Sequence, residues 1–152
     1  MKNFFQKGIS AMEILVVVSI IVLLTVIIIP NFKDMRNAQI LQNSTLDVYN
    51  ALNKARTNSL VGLNSQSYGV HFSTNQVIIF EGTFYDSGAS SNEIIDLDSR
   101  SSISSISLSG GGSDIYFNRI YGKPNKTGTL TILVGSLSKN VSVGALGNIN
   151  ID

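Results

Sequence analysis

The chain of 152 residues has no cysteine and no tryptophan, and it has only one histidine and two prolines. Without cysteine, the protein can form neither a disulfide nor a thiolate metal site. The single histidine, His71, has no acid and no nucleophile at a recognisable spacing, so neither a catalytic triad nor a zinc site is supported. We therefore expect a protein without a cofactor and without enzymatic activity.

Charged residues are also scarce, at 14% of the chain, and their signs are balanced, with eleven Lys and Arg against ten Asp and Glu. A field that would attract nucleic acid in general is therefore not supported. One small basic and aromatic group occurs late in the chain, and a solvated loop is a better interpretation of it than a DNA contact. Its members are Tyr116, Arg119, Tyr121, Lys123 and Lys126.

Two other groups of residues partly resemble ligand-binding motifs but are better explained without a ligand. The densest acidic group does not have the spacing of an EF-hand loop, so we predict a solvated loop there rather than a calcium site. Gly110–Gly112 lacks the Lys-Ser/Thr that follows the glycines of a phosphate-binding loop, so we predict a turn. The acidic group consists of Asp86, Glu93, Asp96 and Asp98.

What the chain does have is one long apolar run near its start. From Ile9 to Ile29 the only charged residue is Glu13, and the other polar side chains are Ser10, Ser19 and Thr25. These roughly 21 residues would span about 31 Å as a helix, the thickness of the hydrocarbon core of a bilayer. An isolated strand would leave its backbone groups unpaired in lipid, so residues 9–29 are predicted to form a membrane-spanning helix.

The segment before this run differs from a secretory signal peptide. Lys2 and Lys7 supply a basic start, but the small residue Gly8 precedes the apolar run, and no small-residue cleavage site follows it. Cleavage at the Gly8–Ile9 bond would keep the helix in the mature protein. A carboxylate at Glu13 costs a few kcal/mol in lipid unless it is paired, and a new α-amino group on Ile9 is a candidate partner.

Lys7–Val16, with the sequence KGISAMEILV, resembles the class III signal of type IV pilins and pseudopilins. The resemblance implies that a prepilin peptidase cuts after Gly8 and methylates Ile9. It also implies that Glu13 pairs with the N-terminal amine of a neighbouring subunit during filament assembly. The chain departs from the commoner family residues Phe, Thr, Leu and Ile at Ile9, Ser10, Ala11 and Met12.

The helical pattern continues beyond the apolar run. Apolar and small residues recur at spacings of three and four, the stripe of an amphipathic helix. We predict one helix from about Ser10 to about Leu60, kinked or loosened at Pro30 and ended by Gly62 and Asn64. The predicted stripe, which would pack against the following domain, consists of Ala38, Leu41, Thr45, Val48, Leu52 and Ala55.

After the helix, the pattern changes to short strands separated by turn residues. A long helix followed by an antiparallel sheet predicts an α+β fold, divided into a leader (1–8), a membrane or filament-core helix (9–29), its amphipathic continuation (30–62) and a β-sheet domain (63–152). The predicted strands are Tyr68–Phe72, Gln76–Phe80, Ile94–Leu97, Ile103–Leu108, Ile115–Phe117, Thr129–Val134, Asn140–Val143 and Asn148–Ile151.

A second resemblance involves the end of the predicted helix and several later segments. The helix end is Leu52–Ser59, and the later segments are Phe117–Asn118, Gly122–Pro124, Gly128–Ile132 and Val141–Val143 with Gly147. They are similar to the end of the helix and to the closing strands of the H-type minor pseudopilins of type II secretion systems. The resemblance implies a structural subunit whose partners are a prepilin peptidase, other pilins or pseudopilins and an inner-membrane assembly platform.

The flanks of the apolar run are both basic, so charge alone hardly orients it. The family motif places the N-terminus in the cytoplasm and the C-terminal domain outside it, in the inner membrane and then in a filament. Two alternatives stay open: a minor pilin of a type IV pilus or DNA-uptake filament, and a single-pass membrane-anchored binding domain. Glu13 discriminates against the latter, because a plain anchor gains nothing from a carboxylate in its apolar run.

Overall fold

The computed structural model describes residues 10–152, apart from the side chains of residues 26–31. Gly8 and Ile9, the predicted cleavage and methylation positions, lie outside the described residues. The chain divides into two compact units, one ending at Arg36 and the other comprising Asn37–Asp152.

The long predicted helix is confirmed as α1, Ala11–Val61, which has 51 residues. Pro30 lies within α1, but its side chain is not among those described, so the predicted kink stays a prediction. Gly62 ends the helix in the left-handed conformation with φ 65°, and the following 3₁₀ turn, Leu63–Ser65, contains Asn64 at φ 50°. Within the described part of the chain, no helix is both long and apolar enough to cross a membrane.

Eight strands follow α1, and each predicted strand is found with its ends shifted by three residues at most. All eight pair with antiparallel neighbours. They are β1 (Tyr68–Phe72), β2 (Gln76–Glu81), β3 (Glu93–Asp96), β4 (Ser101–Leu108), β5 (Asp114–Phe117), β6 (Gly128–Val134), β7 (Leu137–Val143) and β8 (Ile149–Ile151).

The strands form two four-stranded sheets rather than the single sheet that the sequence predicts. One has the order β3-β2-β1-β5 and the other β4-β6-β7-β8. The chain therefore crosses to the second sheet after β3 and returns for β5. The fold class is α+β, as predicted, with a helix packed on antiparallel sheets.

One hydrophobic cluster joins the rear half of α1 to both sheets. Leu41, Val48, Leu52 and Ala55 are buried in it, as the stripe predicts, but Ala38 is exposed, so that part of the prediction is wrong. The buried face of the helix begins only at Ile40. On the sheet side the cluster includes Phe72, Val77, Phe117, Leu130, Ile132 and Val141.

The buried polar groups on α1 are satisfied within the domain. The Ser44 hydroxyl donates to that of Ser101 at 2.9 Å, and the Thr45 hydroxyl donates to the Leu41 carbonyl at 2.6 Å. Ser59 accepts the backbone N–H of Tyr68 at 2.8 Å, which ties the end of the helix to β1. The bonds of Ser44 and Ser59 join α1 to β4 and β1, whereas the Thr45 bond stays within the helix. Each is needed because an unpaired buried polar group would cost free energy.

Candidate functional site

The described chain begins with the first turn of α1, where Glu13 lies. The Ser10 hydroxyl accepts the backbone N–H of Met12 at 3.3 Å, and the Ser10 carbonyl accepts those of Glu13 and Ile14 at 3.0 and 3.2 Å. Ser10 is thus the N-cap, and a negative charge at Glu13 suits the positive end of the helix dipole. Ser10-x-x-Glu13 also has the spacing of a capping box. The Glu13 carboxylate makes no hydrogen bond to the Ser10 backbone N–H, so only the spacing of that motif is present.

Every residue from Ser10 to Thr25 is exposed. Because consecutive helical residues point about 100° apart, this stretch presents an apolar surface on all sides. Its large apolar side chains, Met12 to Leu24, are 50 to 71% exposed. Exposed apolar area of this extent is rare in soluble monomers and marks a surface that something else covers.

Glu13 differs from the other polar residues of this stretch. The Ser19 hydroxyl donates to the Leu15 carbonyl at 2.8 Å, and the Thr25 hydroxyl donates to the Ile21 carbonyl at 2.7 Å, so both are satisfied by the helix itself. The Glu13 carboxylate has no hydrogen bond or ion pair among the described residues. It borders a groove of about 260 Å³ that is otherwise lined by Ile14, Val17 and Val18.

His71 does have an acid partner, which the sequence analysis missed. The antiparallel pairing of β1 with β5 places His71 opposite Asp114, and the His71 Nδ1 contacts the Asp114 carboxylate. The Tyr85 ring stacks on the imidazole with a centroid separation of 4.0 Å. No spacing rule could reveal the pair, because a strand register joins residues that are 43 positions apart.

This pair belongs to a small cluster on the outer face of the first sheet. Phe80 lies across Gly69, its partner in the β1–β2 register, and its ring occupies the space that a Cβ at Gly69 would need. Tyr85 covers Phe80 at 5.8 Å between ring centroids. We interpret His71 as a packing and hydrogen-bonding residue, because Tyr85 stacks on its ring and its Nδ1 contacts Asp114.

The acidic group is divided among separate structural contacts. Glu93 pairs with Lys54 at 2.6 Å, and Asp98 accepts the backbone N–H of Arg100 at 2.9 Å. Asp86 accepts the Gly88 N–H at 2.9 Å within its own turn. Over residues 10–152, no group of three or more histidines and carboxylates is placed to hold a metal ion.

The structure brings only part of the basic and aromatic group together. Arg119, Tyr121 and Lys123 line an open cleft of about 600 Å³ with Ser67 and Asn118. The other two members lie apart from it: Lys126 donates to the Gly111 carbonyl at 2.7 Å, and Tyr116 does not line the cleft.

Two ionisable side chains have pKa values displaced from their ordinary range. Burial raises the pKa of Asp47, which lies on the rear half of α1. Burial also raises the pKa of Tyr68, and the nearby negative charge of Glu81 adds to the effect. Tyr68 therefore stays neutral, and it accepts a hydrogen bond from the Asn64 amide at 3.1 Å.

Comparisons of this chain with protein-family models, with curated proteins and with solved structures found no match.

Proposed function

We propose that this chain is a structural subunit of a pilin-like filament, specifically a minor pseudopilin of a type II secretion pseudopilus. A prepilin peptidase cuts it after Gly8 and methylates Ile9, while α1 holds it in the inner membrane. It then enters the filament through the apolar part of α1, with the β-sheet domain outside the cytoplasm. Its partners are other pseudopilins and the inner-membrane assembly platform.

The observation that carries this proposal is that one carboxylate, Glu13, lies within an exposed apolar helix surface and has no partner among the residues that the structure describes. In a filament, neighbouring helices would cover the surface from Ala11 to Thr25 and remove Glu13 from water. A buried unpaired charge costs several kcal/mol, so the contact requires a cation. The α-amino group of a processed neighbour, on its Ile9, supplies one and also sets the axial register, as a buried polar group does in a coiled coil.

The capping box offers a competing explanation of Glu13, and one substitution separates the two. Glutamine serves at this position of a capping box as glutamate does, but it carries no charge. Glu13→Gln should therefore leave helix, membrane insertion and cleavage intact while strongly reducing incorporation into the filament. Glu13→Ala should behave in the same way.

The measurement is the fraction of subunit in sheared filaments, or crosslinked to neighbours, beside a blot that reports cleavage. Ser10→Ala is the matched control, because it removes the N-cap hydroxyl and keeps the charge. Normal incorporation of the Gln variant, with a defect in the Ser10 variant, would assign Glu13 to capping and end the assembly role. In cells that carry Glu13→Gln, loss of protein secretion with intact surface pili would assign the subunit to a secretion pseudopilus rather than to a type IV pilus.

A further inference from the structure

The cleft at Arg119 is built on a tight turn, residues 118–124, that is fixed to the end of α1. Within the turn, the Gly122 N–H donates to the Asn118 carbonyl at 2.8 Å. From the helix, the Ser59 carbonyl accepts the N–H of Ile120 at 2.9 Å, and the Arg56 Nε donates to the Gly122 carbonyl at 3.2 Å. One of these hydrogen bonds closes the turn and the other two attach it to the end of α1.

The turn holds Ile120 in a conformation that its side chain disfavours. Its φ is 70°, in the left-handed region where β-branched residues are rare. Such strain persists only where the surrounding structure imposes it, and it concentrates at sites of function. Glycine is favoured at position 122 for two reasons. Its φ of 60° lies in the left-handed region, and a Cβ there would lie 2.7 Å from the Leu60 side chain.

The strained turn directs apolar groups into solvent. Ile120 is 63% exposed and Tyr121 is 74% exposed. A second turn lies against the first, since a Cβ at Gly147 would collide with the Gly122 carbonyl, and its Leu146 is 71% exposed. Exposed tyrosine is typical of the anchor residues of protein interfaces, where aromatic side chains are enriched.

The cleft beside these anchors is positively charged. Arg119 and Lys123 line it, and none of its described lining residues is a carboxylate. The Arg119 guanidinium is held in place by a bond from Nη1 to the Ser65 carbonyl at 2.9 Å, and the Arg119 N–H donates to the Ser67 hydroxyl at 3.2 Å. A cation that is already positioned loses less freedom when it binds a carboxylate.

We propose that this surface, formed by Arg119, Ile120, Tyr121, Lys123 and Leu146, is a docking site for an acidic segment of a partner protein with an aromatic or aliphatic anchor. Charge complementarity selects an acidic occupant, and the exposed apolar side chains select a polypeptide. Nucleic acid is the less suitable occupant, because its affinity grows with the number of phosphates neutralised and, among the described residues, two cations line the cleft. The site lies wholly within Asn37–Asp152 and does not depend on Glu13 or on filament assembly.

The test measures fluorescence anisotropy of a labelled peptide of Asp, Glu and Gly with one central Phe, titrated with the full-length chain in detergent micelles. Saturable binding is expected, with none to empty micelles or to a peptide with Asn and Gln in place of the acids. Lys123→Glu should weaken binding by about tenfold or more, since it removes a charge-assisted contact and adds a like charge. Tyr121→Ser should weaken it by several-fold.

Two matched controls should bind the peptide as the parent does. Lys126→Glu makes the same charge change at a lysine outside the cleft, and Phe84→Ser removes an aromatic that is 86% exposed and does not line it. The proposal is overturned if the parent does not bind, or if Lys123→Glu and Lys126→Glu weaken binding equally. It is also overturned if a single-stranded oligonucleotide binds more tightly than the peptide and loses affinity with the same variants.

Discussion

Glu13 and Asp47 show how one helix places carboxylates in different surroundings. Glu13 is exposed in the first turn of α1, where the positive end of the helix dipole interacts favourably with a negative charge. Asp47 is partly withdrawn from water beside the domain core, and burial raises its pKa. The Glu13 carboxylate has no partner among the described residues, whereas ionisation of Asp47 is less favourable in the folded protein than in the unfolded chain.

At Gly8, processing should depend on the absence of a side chain. Gly8→Arg is expected to block cleavage, because a long charged side chain replaces a residue that permits close approach of the peptidase to the backbone. Mass spectrometry of the native protein should find Ile9 as the methylated N-terminus of the parent and Met1 in the variant. Lys7→Arg keeps the basic start and is the control. An intact Met1 in the parent, in cells with an active prepilin peptidase, would contradict the prediction.

Asp47 leads to a prediction about pH. Because the folded-state pKa is raised, the protonated carboxyl is favoured by folding, and stability is lost as pH rises through the range between the unfolded and folded pKa values. Asp47→Asn should therefore raise the urea midpoint of the full-length chain in detergent at pH near 7. The gain should vanish well below the ordinary Asp pKa of about 4.

The control for this change is Asp34→Asn, which neutralises an exposed carboxylate on the same helix. An equal gain from both substitutions would show that net charge, rather than burial at Asp47, sets the effect. A gain that persists at low pH would equally contradict the pKa argument.

Between elements, packing decides which surfaces are buried. Both faces of β2 are buried, which simple alternation does not predict. Val77 and Ile79 face the main cluster, whereas Phe80 is covered by Tyr85 from the following loop. The loop in turn is positioned by the stacking of Tyr85 on His71. The first sheet is therefore covered on one face by α1 and on the other by a short loop.

The rear half of α1 packs in the core of the domain, and a substitution at Leu52 tests how much this packing stabilises the fold. This side chain is fully buried between the helix and the sheets. Leu52→Ala should lower the free energy of unfolding by about 2–5 kcal/mol, from lost transfer energy and a residual cavity. Leu46→Ala removes the same atoms from an exposed position of the same helix and should cost far less. Equal costs in urea titrations would mean that the helix does not pack as described.

In the whole molecule, the boundary between the two units after Arg36 separates the exposed apolar residues of α1 from the buried apolar residues of the core. The core residues of the described chain begin at Ile40, and the exposed apolar helix surface precedes them. The unit Asn37–Asp152 therefore contains both the helix face and the sheets that cover it. The preceding part of α1 contributes no buried side chain among those described.

A chain that begins at Asn31 should accordingly fold as a cooperative, soluble monomer. Removing the residues before it deletes the apolar stretch and leaves every core residue in place. Size-exclusion chromatography and a single urea transition common to fluorescence and circular dichroism would report this outcome. A chain that begins at Thr45 is the control and should unfold, because it loses Ile40 and Leu41 from the core. Aggregation of the longer chain would contradict the division into units.

Much of this fold is local and could be predicted from residue patterns. The length of α1, its end at Gly62 and the eight strands follow from periodicity and turn residues, which act over a few neighbouring positions. Ala38 was misassigned because a helical stripe shows which face is apolar but not where the covering sheet begins. The sequence also pointed to Glu13 as the one charge in the apolar run, because chemistry and position along the chain suffice for that.

Tertiary structure alone decided how distant segments meet. The split into two sheets, the contact of His71 with Asp114 and the cleft at Arg119 all depend on strand registers and on turns that rest on the end of α1. Sequence patterns carry little information about such contacts, since they depend on which strands pair across long stretches of chain. By itself, the sequence determined the elements, their apolar faces and the candidate role of Glu13. The three-dimensional packing determined which polar side chains share a surface, because only burial and register bring them together.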